Sequence, residues 1–294
     1  MSSPHTTLPA QMADIDHYEN FPVASLLCPP DLRPAVAAIY HFARTADDIA
    51  DEGHATTAER LAALALYRAD LACAVAGSEP SPQWRPMFNA LARAIRERAL
   101  PVPLLNDLIS AFEQDVRHTA AGHHYANLDE LLAYCKLSAN PVGRLLLHLY
   151  GVHDPLSLTQ SDHICSALQL INFWQDISVD LPRQRHYLPS DLLERQGLRR
   201  EDFSDTAKVN AATDARRVAS VAALCQDAQA RMQQGAPLAK RIPGRAGWEL
   251  RLVVQGGLRI LDKIEASGFQ SWERRPTIGK LDAPILLWRA LWMP

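Results

Sequence analysis

Apolar side chains recur along this chain at three- and four-residue intervals, and nowhere do they alternate with polar ones over the length of a strand. That period predicts helices. Val36, Ile39, Tyr40 and Ala43 mark a helix from Arg33 to about Glu52, with Asp31 placed to cap it. Leu61, Leu64, Tyr67, Leu71 and Val75 mark a second, opened by capping-box spacing at Thr56 and Glu59 and stopped at Gly77. Phe88 to Arg98 and Leu104 to Ala121 repeat the pattern, Pro103 suiting a first helical turn and Gly122 a stop. Leu128 to Tyr150 keeps the period but carries Asn140-Pro141, which should break or kink it near Ser138. Four more helices are expected from Leu158 to Asp180, about Ala207 to Gln234, Trp248 to Ser267 and Asp282 to Trp292. Residues 1–12 read as a disordered tail and 13–294 as one all-α domain, a helical bundle closing over a central cavity, since no long linker separates the helices.

Two places break the apolar rhythm with acid. From Tyr40 to Glu52 an apolar helix turns acidic without ending, and Arg44, Asp47, Asp48 and Asp51 fall on one face. By itself that is a solvated face with a few ion pairs. Downstream, Gln169, Asn172, Asp176 and Asp180 share one side of a helix that Leu168, Leu170, Ile171, Phe173 and Trp174 make greasy nearly all round. Carboxylates one turn apart in a buried helix are costly unless cations answer them, and core arginines or metal ions would both serve. Asp47 with Asp51, and Asp176 with Asp180, are each an Asp-x-x-x-Asp pair. Magnesium prefers oxygen ligands, keeps several waters and is shared between one or two carboxylates and substrate phosphates. Two facing pairs would hold Mg2+ around a diphosphate, Arg44 and Arg185 would add donors, and apolar helices would take a hydrocarbon tail.

Composition narrows the field. Hydrophobic residues are 48% and charged residues 21%, the balance of a globular protein with a large core. A formal net charge of −3 lacks the concentrated Lys and Arg that nucleic acid requires, so no nucleic-acid partner is expected. Five cysteines, scattered singly through apolar segments, read as reduced core residues. Neither a signal-like N-terminus nor about 18 consecutive apolar residues appears, which points to the cytoplasm. The last helix, with Ile285, Leu286, Leu287, Trp288, Leu291 and Trp292, fits either core packing or peripheral contact with the inner face of a membrane.

Taken together, Tyr40 to Glu52, Tyr134-Cys135 with Val142-Gly143, Gln169 to Asp180, and Arg185-His186-Tyr187-Leu188-Pro189 resemble the squalene/phytoene synthase family. The likeness spans nearly the whole chain. It implies the all-helical isoprenoid synthase fold, magnesium as cofactor and prenyl diphosphates as substrates. Residue by residue, it implies metal binding by Asp47, Asp51, Asp176 and Asp180, with Asn172 beside the second pair. Tyr40, Arg44 and Gln169 match diphosphate-site or pocket positions, and Arg185 and Tyr187 the flap beyond the second motif. His17 and Asn20 belong to a polar string that matches a segment near the diphosphate, or forms a simple loop into the first helix. Gln175 departs from the pattern, because condensing members commonly carry arginine there. With His17 to Ser25, Ser138 to Arg144 and Arg274 to Lys280, it resembles the bacterial hopanoid-pathway branch that acts on presqualene diphosphate and captures water. Tyr134, Ser138 and Asn140, at the proline-broken helix, are candidates to guide that water, or are simply the break. Enzymes upstream and downstream in the implied pathway are candidate partners. The rival within the family is head-to-head condensation of two farnesyl diphosphates.

Overall fold

The computed structural model describes residues 28–204 and 209–293, and among the described residues it contains helices and no strand. The expected tail, and with it His17 and Asn20, lies outside them.

The first half follows its local signals closely. Helix α1 is Arg33–Asp51, α2 is Thr57–Ala76, α3 is Arg85–Arg98 and α4 is Val102–Ala121. Thr56 and Glu59 form the capping box, and Gly77 and Gly122 end α2 and α4 in the left-handed conformation at φ 74° and 58°. Asp31 does not cap α1. Leu32 occupies that position without a side-chain bond, while the Asp31 backbone carbonyl accepts from Arg98 Nη2 at 2.7 Å. The two helices from Leu128 to Tyr150 appear as expected, α5 at Leu128–Ser138 and α6 at Asn140–Leu149, parted at Ala139 before the proline.

The expected helix from Leu158 to Asp180 is instead two. Helix α7 is Pro155–Gln175 and α8 is Ile177–Asp180, with Asp176 between them at φ −102° and ψ 14°. Its N–H still bonds the Asn172 carbonyl, but its own carbonyl starts a new turn by accepting from Val179 and Asp180, each at 2.8 Å. Beyond lie α9 at Ser190–Arg195, α10 at Ala211–Gly235, α11 at Leu238–Arg241, α12 at Gly244–Ala266 and α13 at Ala283–Leu291. None of these helices is long and apolar enough to cross a membrane.

Two large cores carry the packing. Helices α1 to α4 enclose one around Phe42, Tyr67, Phe88 and Leu105, where the Tyr67 hydroxyl donates to the Phe42 carbonyl at 2.9 Å. Helix α7 is the axis of the other, packing against α5, α6, α10 and α12 through Leu170, Trp174 and their neighbours. Helix α6 meets α7 so closely at Gly143 that a Cβ there would run into Ser161 Oγ and Cys165 Sγ. A strap from Gln270 to Ile278 then crosses the C-terminal end of α7. Trp272 roots it in the core under the Arg217 guanidinium, 4.7 Å from the ring centre, and the Thr277 carbonyl accepts from Lys263 Nζ at 2.8 Å.

Candidate active site where two helix ends meet

Both acidic pairs sit at C-terminal helix ends. Asp47 and Asp51 occupy the last turn of α1, which has no basic residue, and Asp176 follows the last residue of α7. Unsatisfied carbonyls already make a helix C-terminus negative, so carboxylates there raise an anionic potential that only cations relieve. Three arginines supply the relief. Arg44 pairs with Asp47 at 3.2 Å and Asp48 at 2.7 Å, Arg275 Nε with Asp176 Oδ1 at 2.5 Å, and Arg185 with Asp51.

Arg185 is what joins the two ends. After α8, Leu181 to Arg183 form a single tight turn and Gln184 takes the left-handed conformation at φ 60°, so that the Arg185 N–H returns to the Asp180 carbonyl at 3.0 Å. From there its side chain reaches back to α1. Burial pushes the Asp180 carboxyl up to about 7, with Asp176 and Asp51 adding to the rise and Arg185 opposing it. Burial likewise lifts Asp47 to about 6, helped by Asp51 and resisted by Arg44. These carboxylates feel one another across the gap, so the first and second acidic motifs form one cluster.

A further carboxylate belongs to it. Asp115 on α4 accepts from the Tyr134 hydroxyl at 2.7 Å, and burial raises it to about 7, with Asp51 and Asp47 raising it further. Beside it stands a group of rings. Tyr187 stacks on Phe173 at 3.8 Å between centroids and 14° between planes, and Tyr134 lies 6.2 Å from Phe173. Burial and the negative charge of Asp115 hold both the Tyr134 and Tyr187 hydroxyls well above their usual range.

The remaining candidates divide. Asn172 and Gln169 lie half-buried on α7, one and two turns before Asp176, and Tyr40 lies one turn before Arg44. Gln175 is buried at 7% exposure, and its amide donates to the Pro276 carbonyl in the strap at 2.7 Å. It therefore ties the strap to α7, which is what brings Arg275 onto Asp176. Ser138 turns its hydroxyl to the Tyr134 carbonyl and Asn140 Oδ1 accepts from Ser166, so both serve the α5–α6 break.

Toward the other end of α7 lies a pocket with ≈ 820 Å³ of space free of protein atoms, part of it open to solvent. Its walls are apolar, with Val142 and Leu146 from α6, Ile164 and Leu168 from α7, and Leu250 and Val253 from α12. Leu168 precedes Asp176 by eight residues, which is about 12 Å along a helix. An apolar pocket and an acidic cluster thus share one helix, as a molecule with a hydrocarbon tail and an anionic head would need.

As metal ligands the carboxylates form an open set. Among the described residues no three His, Cys, Asp or Glu side chains gather to cage one ion. By the chemistry of the donor set, hard oxygen ligands in pairs fit Mg2+, which shares its coordination between one or two carboxylates, water and phosphate, better than zinc, which favours nitrogen and sulfur ligands.

A family model described as squalene/phytoene synthase matches residues 16–282. The hydroxysqualene synthase of Zymomonas mobilis is 36% identical over 209 residues, covering 70% of this chain and 65% of its own length. That of Rhodopseudomonas palustris is 38% identical over 186 residues, covering 63% and 60%. The match thus spans less than two thirds of either relative. The presqualene diphosphate synthase of R. palustris is 29% identical over 283 residues, 96% of each chain. Among solved structures, squalene synthase HpnC from Alicyclobacillus acidocaldarius superposes with a TM-score of 0.74 at 35% identity, covering 86% of this chain and 90% of that one.

Proposed function

This chain belongs to the squalene/phytoene synthase family, and from that premise we propose that it is a magnesium-dependent hydroxysqualene synthase of hopanoid biosynthesis, converting presqualene diphosphate and water to hydroxysqualene and diphosphate. The observation that carries this reading is that Arg185, paired with Asp51 and facing Asp180, joins the Asp47–Asp51 pair of α1 to the Asp176–Asp180 pair at the end of α7, the helix that also lines the apolar pocket.

In the reaction the carbon–oxygen bond breaks and its electron pair leaves on the diphosphate. Arg44, Arg185 and Arg275 are the guanidinium groups at hand for that charge. Magnesium held by Asp47, Asp51, Asp176 and Asp180, with Asn172 beside the second pair, would supply the cationic charge that favours ionisation. The prenyl chains lie against Ile164, Leu168 and Val253, which keep water from the cyclopropylcarbinyl cation while it rearranges. Phe173, Tyr187 and Tyr134 offer it ring faces. A water then bonds to carbon and loses a proton, for which Asp115 Oδ2, paired with the Tyr134 hydroxyl and lifted to about 7, is the suited acceptor.

Head-to-head condensation of two farnesyl diphosphates is the second reading, favoured by the length of the match to presqualene diphosphate synthase. Gln175 weighs against it, since the arginine expected there in condensing enzymes is replaced by an amide committed to Pro276. Purified protein with Mg2+ should release hydroxysqualene and diphosphate from presqualene diphosphate. Turnover of farnesyl diphosphate alone would overturn the choice.

A further inference from the structure

Helix α13 runs back along α12. Asp282, just before it, pairs with Arg259 at 2.8 Å and Lys263 at 2.7 Å, and the Ala290 carbonyl near its end accepts from Arg251 at 3.5 Å. One face is therefore held down, with Ala290 buried and Arg289 paired to Asp262. The other face carries Leu287, Trp288, Leu291 and Trp292, all more than half exposed, Trp292 at 70%. The two indoles lie 5.7 Å apart, and Leu281 before the helix is 91% exposed. Scattered exposed leucines are ordinary on a protein surface, but a contiguous aromatic and aliphatic face is a docking surface.

Charge identifies what docks there. Residues 240–293 hold 10 Lys and Arg against 5 Asp and Glu, whereas the whole chain holds 30 against 33. Arg245, Arg274 and Lys280 in this segment are exposed. Trp and Leu on one helix face, inside a basic segment of an otherwise acidic chain, match an anionic bilayer surface, where indoles sit at headgroup depth and Lys and Arg meet lipid phosphates. Placement agrees. Helix α12 lines the apolar pocket through Leu250 and Val253, and Trp248 and Arg251 on the same turns stand beside the α13 end.

We propose that the Leu287, Trp288, Leu291 and Trp292 face of α13, flanked by Lys280 and Arg245, seats the protein on the surface of an anionic lipid bilayer without crossing it. This assignment goes beyond the catalytic reading and holds whichever prenyl diphosphate is the substrate.

The test is flotation of the full-length protein with vesicles of phosphatidylcholine, with and without phosphatidylglycerol, alongside W288S/W292S and R245E/K280E. The wild type should float with the anionic vesicles and release at high salt. Each double variant should bind about tenfold more weakly or less. Circular dichroism checks that the variants fold, and the charge reversals, at exposed positions, keep the test open if the tryptophan variant does not. Failure of the wild type to float, equal flotation by folded variants, or a wild-type dimer that W288S/W292S dissociates with no vesicle binding would overturn it. Because flotation needs no turnover, the result is independent of the substrate assay.

Discussion

Replacing Gln175 with methionine isolates what the amide does. Methionine keeps the volume and flexibility of glutamine, so no cavity opens, and only the bond to the Pro276 carbonyl is lost. A neutral hydrogen bond contributes about 0.5–1.5 kcal/mol net, and a buried acceptor left bare costs about 1–3. Pro276 is only half-buried, so water partly replaces the donor and about 1–2 kcal/mol is the expected loss. That is a factor of roughly 5–30 in the population of strap-open molecules. The strap itself reports it. Arg274 is exposed, but the Arg275 that follows it is paired with Asp176, so trypsin is expected to cut after Arg274 once that pair opens. Where opening is fast relative to cleavage, the rate follows the open population, so Gln175→Met should be nicked at this bond about five- to thirtyfold faster. Cleavage after exposed Lys280 serves as the internal control. A variant nicked within about twofold of wild type would show that the amide does not hold the strap.

Other perturbations separate chemistry from packing. Asp176→Ala should abolish diphosphate release, by at least about a hundredfold, while circular dichroism stays wild-type, because the carboxylate lies at a helix end and not in a core. Gly143→Ala should lower stability in urea melts by about 1–2 kcal/mol, overpacking outweighing the gain in helix propensity, and an S161A/C165A background should restore it. Burial, with Arg200 and His186 alongside, holds His124 down to about 4 from 6.5. The unfolded state then takes the proton first, so stability falls as pH drops from about 6.5 toward 4, and His124→Asn should flatten that part of the profile.

Local signals made much of the fold legible. The capping box at Thr56 and Glu59, the stops at Gly77 and Gly122, and the break before Pro141 are each decided by a few adjacent residues, and each appears where the chain predicts it. The end of α7 was not legible in that way. Nothing between Leu158 and Asp180 breaks a helix, yet the helix breaks at Asp176. The residues that hold this point are Pro276 and Arg275, 101 and 99 positions away from their partners, and no window along the chain contains both sides of those bonds.

The candidate site divides along the same line. Spacing alone paired Asp47 with Asp51 and Asp176 with Asp180, and the fold joins the pairs through Arg185. Asp115 was missed although a signal existed, for Leu108, Ala111 and Asp115 lie on one stripe of α4 whose other members are buried. A carboxylate at the next position of an apolar stripe needs a partner, and its partner is Tyr134, which the sequence marked as a motif residue beside a helix break and a candidate to guide water, but not as a donor to a carboxylate. Gln175 had the opposite fate. Viewed along the chain it was a missing positive charge, yet its amide fixes the strap that carries Arg275 to Asp176, so the guanidinium absent at position 175 arrives from a hundred residues away. An arginine restored at 175 would bring a second cation into a buried position already answered by Arg275. The two would repel each other.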